Sequence, residues 1–219
     1  MNAKLLTEYQ SIVRQIEISP TREGLQRLFE MVDENFHPAM HTLSVCFKRG
    51  ILVEQNDDTA FEYCKAAASL GNGPALNNMG INYLEGKHVA QDSDLALRYF
   101  SSAMQSGFVA AMHNSAYVVD HGLGVVADGG LALKRYTWAY EHGYTPSANN
   151  LGLFYARGRH VQPDLQIAQI WFEKGALGED ELAKENLELV KDLRRCDPKN
   201  IQSEIRRYAR IWIEDGLGF

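Results

Sequence analysis

Two periods run through the hydrophobic and polar positions of this chain. The short one is helical: apolar and small residues return every three or four positions, giving each segment one face for a partner helix. The long one is 36 residues. From Pro38 to Glu181 the pattern repeats four times without insertion, in blocks 38–73, 74–109, 110–145 and 146–181. Each block predicts two helices. In the first, Ala39, Ala75, Ala111 and Ser147 are followed four residues later by Leu43, Met79, Ser115 and Leu151. Small residues come next (Ser44, Gly80, Ala116 and Gly152), then Phe47, Tyr83, Val119 and Tyr155. The small positions predict a close approach by the second helix.

The punctuation has the same period. Gly50, Gly86, Gly122 and Gly158 are expected to end the first helix, because glycine turns left-handed without a Cβ clash. Val53, Val89, Val125 and Val161 follow as apolar plugs under the loop. Asn56, Asp92, Asp128 and Asp164 are expected to cap the second helix. That helix carries Ala60, Ala96, Ala132 and Ala168, then Tyr63, Tyr99 with Phe100, Tyr136, and Trp171 with Phe172. The small residues Ala67, Ala103, Ala139 and Gly175 come next, and Gly71, Gly107, Gly143 and Gly178 end it. Gly178 arrives one residue early, which predicts a tighter exit turn. A fixed period of this length means stacked supersecondary units, here one solenoid domain.

The ends extend the array. Residues 1–37 predict an N-terminal helical cap. Its first helix carries Leu5, Leu6, Tyr9, Ile12, Val13 and Ile16. Its second begins at Ser19-Pro20 and carries Leu25, Leu28, Phe29, Val32 and Phe36. Residues 182–219 predict a half-repeat through Ala183, Asn186 and Leu187, with Arg194 in place of the closing glycine. A capping helix over 201–214 follows, with Ile201, Ile205, Tyr208 and Trp212 on one stripe and Gly216 beyond it.

The second and fourth blocks contain A-L-N-N-M-G-I-N-Y-L-E-G-K-H-V-A-Q-D and S-A-N-N-L-G-L-F-Y-A-R-G-R-H-V-Q-P-D. This pattern resembles the Sel-1-like repeat, a relative of the tetratricopeptide repeat, over about two-thirds of the chain. The resemblance implies an all-α fold, a right-handed superhelical solenoid of antiparallel helix pairs with capping helices. It also implies a non-enzymatic adaptor that holds a peptide, loop or helix of another protein in a concave groove lined by first helices. The third block departs most: Ser115 and Val119 replace large residues, and Arg135 stands where the repeat has tryptophan.

Charge and cysteines narrow the partners and the compartment. A net charge of −6 argues against a nucleic-acid backbone or an anionic membrane as partner. The basic segment 191–195 and the pair Arg206-Arg207 read as solvated helix faces. No apolar run reaches the roughly 18 residues of a membrane span. The charged N-terminus lacks the pattern of a secretory signal, so the expectation is cytoplasmic. Three cysteines without recurring spacing, Cys46, Cys64 and Cys196, fit a reducing compartment.

Chemistry-bearing motifs are weak. No strong catalytic signature occurs. Gly122-Leu123-Gly124 belongs to the repeat loop. His37 and His41 straddle Pro38 at a helix start and lack a third ligand. His88 and His160 lie two repeats apart, too far to share one ion. Asp57, Asp58 and Asp128 read as caps and first-turn charges. The sequence therefore predicts neither cofactor nor metal.

The best binding feature is a row along the first helices. It comprises Asn78, Ile81 and Glu85; Asn114, Tyr117 and His121; and Asn150, Leu153 and Arg157. Thr42, Val45 and Arg49 begin the row, and Asn186 and Leu189 extend it. An amide offers both donor and acceptor to a peptide backbone. The apolar members would form side-chain pockets, and the varied Arg49, Glu85, His121 and Arg157 would set specificity. The structural alternative is that the asparagines belong to the repeat and fix helix packing. Trp138 stands where other blocks have Ala66, Ser102 and Lys174, so it is either a second hot spot or a cover for the irregular block. Three readings compete with the adaptor. They are an immunity or chaperone protein for a cognate toxin or effector, an enzyme built around His113, Asp120 and His121, and a self-associating module, dimeric through its C-terminal helix.

Overall fold

A computed structural model describes residues 3–34, 36–158, 160–195 and 203–205. Among them the chain is all helix and turn. The helices are α1 (Ala3–Ile18), α2 (Arg22–Asp33), α3 (His37–Arg49), α4 (Asp57–Ser69), α5 (Gly73–Glu85), α6 (Ser93–Gln105), α7 (Ala110–His121), α8 (Gly129–Glu141), α9 (Ser147–Arg157), α10 (Leu165–Leu177) and α11 (Glu181–Arg195). They fall into two compact units divided between Phe108 and Val109.

The expected punctuation is in place. Gly50, Gly86, Gly122 and Gly158 close the first helices at φ of 67, 69, 63 and 65°. Asn56, Asp92, Asp128 and Asp164 each accept a bond from a backbone N–H in the first turn of α4, α6, α8 and α10. The same four residues donate their own N–H back to Phe47, Tyr83, Val119 and Tyr155, at 3.0, 2.8, 2.9 and 2.9 Å. Each loop is thus clamped at both ends. Within it lies a second left-handed position, at Leu52, His88, Gly124 and His160 (φ 60, 59, 73 and 61°).

The fourth exit turn differs from the sequence expectation. Gly178 is not left-handed, with φ −85°. Glu179 takes that conformation at φ 63°, in register with Gly71, Gly107 and Gly143. The turn keeps its period and is not tightened. A residue with a Cβ is disfavoured there by about 1–2 kcal/mol. Glu179→Gly should therefore stabilise the protein by about 1 kcal/mol and raise its thermal midpoint. An unchanged or lower midpoint would contradict this.

In the first unit, α3 pairs with α4 and α5 with α6. Ile12 and Ile16 of α1 and Leu25, Leu28 and Met31 of α2 share a core with Phe36, Ala39, Leu43 and Cys46. The start of α2 is corrected. Thr21, not Ser19, is its cap, accepting from the Gly24 N–H at 3.1 Å, and Pro20 precedes the helix. The two aromatic positions of each repeat stack, Phe47 on Tyr63 at 5.7 Å and Tyr83 on Tyr99 at 5.3 Å.

In the second unit, α7 pairs with α8, α9 with α10, and α10 with α11. Val119 offers no ring in the third block, and Arg135 instead donates from Nη1 to the Ser115 carbonyl at 3.2 Å. Gly152 faces the ring of Phe172, as Gly80 faces Phe100 in the first unit at 2.6 Å from a built Cβ. Lacking a glycine stop, α11 runs to Arg195. Of the expected 201–214 helix, residues 203–205 are described and helical. Ile205 is buried in a cluster with Leu153, Leu165, Phe172, Val190 and Leu193. Cys196, the pair Arg206-Arg207, Tyr208, Trp212 and Gly216 lie outside the described residues.

Candidate functional site

The first-helix row divides into a buried spine and less buried ends. Asn114, Asn150 and Asn186 are buried, as are Ile81 and Leu153. The asparagine Nδ2 of Asn150 lies 3.4 Å from the Tyr136 hydroxyl. In the second unit, polar groups also bridge successive first helices. His113 Nδ1 lies 3.0 Å from Ser147 Oγ, and Asn186 donates to Asn149 Oδ1 at 2.7 Å. Thr42 is held by the Tyr9 hydroxyl of α1 at 2.8 Å, and that hydroxyl also reaches the Pro38 carbonyl at 3.1 Å. Val45 and Leu189 are half-buried, and so is Asn78, whose Oδ1 meets no hydrogen-bond partner. Ile81, Leu153, Asn114 and Asn150 thus have little surface to offer a peptide.

The less buried members sit toward the helix ends, with Tyr117, His121 and Arg157 half-buried and Arg49 and Glu85 exposed. In the second unit Tyr117 stacks on His121, with centroids 4.1 Å apart, and His121 Nδ1 lies 3.0 Å from the Tyr117 carbonyl. Beneath them the buried Asp120 carboxylate lies 3.8 Å from His121 Nδ1 and 3.6 Å from His160 Nε2. The His160 ring covers Gly129 at the start of α8, where any Cβ would collide with it. Arg157, half-buried, ends α9 one repeat after His121.

In the first unit Arg49 is exposed, and Glu85 pairs with Lys87 at 2.7 Å. His88 repeats the packing of His160. It lies 3.2 Å from Asp58 and stacks on Phe61, both near the start of the preceding second helix. The loop histidines thus belong to repeat-to-repeat contacts, a role sequence reasoning missed. Their signal was the shared loop position.

The groups named for catalysis separate. His113 and Ser147 are wholly buried, with the imidazole between Tyr136 and Tyr144. Asp120 lies seven residues, about 10 Å, further along α7 and belongs to the other histidines. Burial pushes the Cys46 thiol up and the Cys64 thiol up to about 11, so neither supplies a thiolate near neutrality. Among the described residues no group of three His, Cys, Asp or Glu side chains is placed to hold a metal. His41 is a half-buried base whose pKa is lowered to about 4 by desolvation. Trp138, half-buried, lies flat on His142 at 3.7 Å, and His142 Nδ1 sits 2.7 Å from the Trp138 carbonyl.

Helix pairs at a fixed period, a buried polar spine and varied, less buried ends define the class of α-helical repeat proteins. The chain belongs to the Sel1 repeat family, whose model matches residues 37–72, 73–108, 109–144 and 145–180. Proteins of this family generally mediate protein–protein interaction. Its fold is similar to that of a Sel1 repeat protein from Oxalobacter formigenes, at 23% identity and a TM-score of 0.76, covering 94% of this chain and 86% of that one. It is also similar to a protective antigen present in uropathogenic Escherichia coli strains, at 27% identity and a TM-score of 0.68. That match covers 82% of this chain but only 39% of the antigen. An immunity protein from Pseudomonas aeruginosa shares the fold at 17% identity and a TM-score of 0.50, over 83% of this chain and 84% of that one. No curated protein matches the sequence. No helix among the described residues is long and apolar enough to cross a membrane.

Proposed function

We propose that this chain is a non-enzymatic adaptor that binds another protein through the ends of its first helices. In the second unit the contact residues are the half-buried Tyr117, His121 and Arg157; in the first they are the exposed Arg49 and Glu85. The observation that carries this reading is the Tyr117–His121 stack, two rings 4.1 Å apart at a helix end. The same positions hold Ile81 and Glu85 one repeat earlier and Leu153 and Arg157 one repeat later. A stacked aromatic pair is therefore no requirement of the repeat, and aromatic groups at a surface are typical anchors of protein interfaces. The burial of the other polar groups against their neighbours supports binding over catalysis. A narrower reading makes the partner a cognate toxin, with this chain as its immunity or chaperone protein. It draws on the P. aeruginosa neighbour, which shares the fold alone.

The test is affinity capture from source-cell lysate with the wild type and a Tyr117→Ala, His121→Ala, Arg157→Ala variant of equal melting temperature. A partner held by the wild type should be lost, or weakened at least about tenfold, in the variant. Equal capture by both would move the contact elsewhere.

A further inference from the structure

Helix α10 carries apolar residues on two sides. Leu165, Ala168, Phe172 and Gly175 are buried. Ile167, Ile170, Trp171, Lys174 and Leu177 form a second stripe over about a third of the helix circumference. There Ile170 is 46% exposed and Leu177 is 86% exposed. The repeat supplies an internal control. The position of Ile170 is Glu62, Arg98 or Lys134 in the other blocks, and that of Leu177 is Ser69, Gln105 or Glu141, all of them exposed. The fold thus requires no apolar side chain at either place. Two departures in the same direction, two turns apart on one face, make a patch suited to burial by something else.

We infer that this outward face of α10 is a docking surface for an amphipathic helix of a partner protein, one whose apolar ridge is flanked by carboxylates. The charge on the stripe selects that occupant. The Lys174 ammonium lies 4.0 Å above the Trp171 ring and 5.6 Å from the Tyr140 ring, and Tyr140 stands edge-on to Trp171 at 5.3 Å. A partner covering this platform excludes water from the cation, and a carboxylate is the group that then compensates it. A second copy docked about a two-fold axis would place two Lys174 ammoniums in the same dry patch, which is repulsive. Glu173, beside the stripe, is engaged by Gln169 at 2.7 Å. On α8 the equivalent face adds Lys134 and Trp138. On α4 it is acidic instead, a depression of about 400 Å³ lined by Asp58, Thr59, Glu62, Tyr63 and Ala66. The exposed apolar pair Ile170 and Leu177 is therefore particular to the fourth repeat, and the first repeat has the opposite charge.

The probe is a labelled amphipathic peptide with leucines at i, i+3, i+4 and i+7 and flanking glutamates, titrated with the full chain by fluorescence anisotropy. The same peptide with flanking lysines is the comparison. The acidic peptide should bind at least about tenfold tighter than the basic one. Ile170→Glu with Leu177→Gln uses residues that other repeats carry at these positions, so it should melt like the wild type and lose at least about tenfold in affinity. Lys174→Ser, the residue of the second repeat, should remove the preference between the peptides. No binding of the acidic peptide, equal affinity for both peptides, or full binding by the double variant would each overturn the assignment. So would wild-type mass that rises with concentration and stays monomeric in Ile170→Glu, since the face would then be a self-contact. Failure here leaves the first-helix ends untouched, because the Tyr117, His121, Arg157 variant does not alter this face.

Discussion

Truncating Phe172 to alanine should remove about 3–5 kcal/mol of stability, read by denaturant unfolding. The ring has no exposed surface and lies in the cluster that joins α9, α10 and α11. It also sits directly on Gly152, where a Cβ would collide with it. That contact gives the prediction a second arm. Gly152→Ala alone should cost about 1–3 kcal/mol by overpacking. In the Phe172→Ala background the added methyl group enters the vacated space, so the double variant should lose clearly less than the sum of the two single losses. Strict additivity would mean that ring and glycine do not meet. A loss below about 1 kcal/mol for Phe172→Ala would mean that the ring is not buried.

The second large effect is acid sensitivity centred on His41. Its folded pKa of about 4 lies below the ordinary 6.5, and burial is the cause. Between those values the unfolded chain holds the proton more tightly than the folded one, so stability increases with pH. The contribution is complete above the unfolded value and is lost as pH falls toward about 4, where it amounts to about 3 kcal/mol. His41→Asn should flatten this slope, because Asn77 and Asn149 occupy the same position and are buried in their own repeats. Unfolding midpoints at pH 5 and pH 7 for both proteins isolate the effect, since surface carboxylates contribute equally to each. Equal pH slopes would exclude His41 as its source.

The fold was legible because its signals are local and repeated. A glycine that must turn left-handed and an aspartate that caps the next helix act over a few residues, and four copies in register leave little ambiguity. Where a signal had one copy, reading failed. Ser19-Pro20 resembles a helix start, but the Thr21 hydroxyl reaches the Gly24 N–H and wins. Gly178 resembles the turn residue, but the backbone path of the repeat sets the left-handed position at Glu179.

The candidate site was legible only in part. Spacing places Ile81 and Tyr117 on the same helical position, yet Ile81 is buried and Tyr117 reaches the surface. Periodicity along one helix does not encode what each position meets outside that helix. The α10 face was readable in principle. Comparing Ile170 with Glu62, Arg98 and Lys134 needs nothing but the register.

The buried polar spine also bears on how such an array avoids assembling in the wrong order. Near-identical modules risk skipping, in which one block stacks on a distant cousin. In the later unit the bridges are not interchangeable: an imidazole meets a hydroxyl between α7 and α9, and an amide meets an amide between α9 and α11. A skipped stacking would place His113 against a residue chosen for another neighbour and strand a polar group out of water, at about 1–3 kcal/mol for each mismatch. Each of these two junctions then works as an address label, and the order of the later modules is written in buried polar pairs.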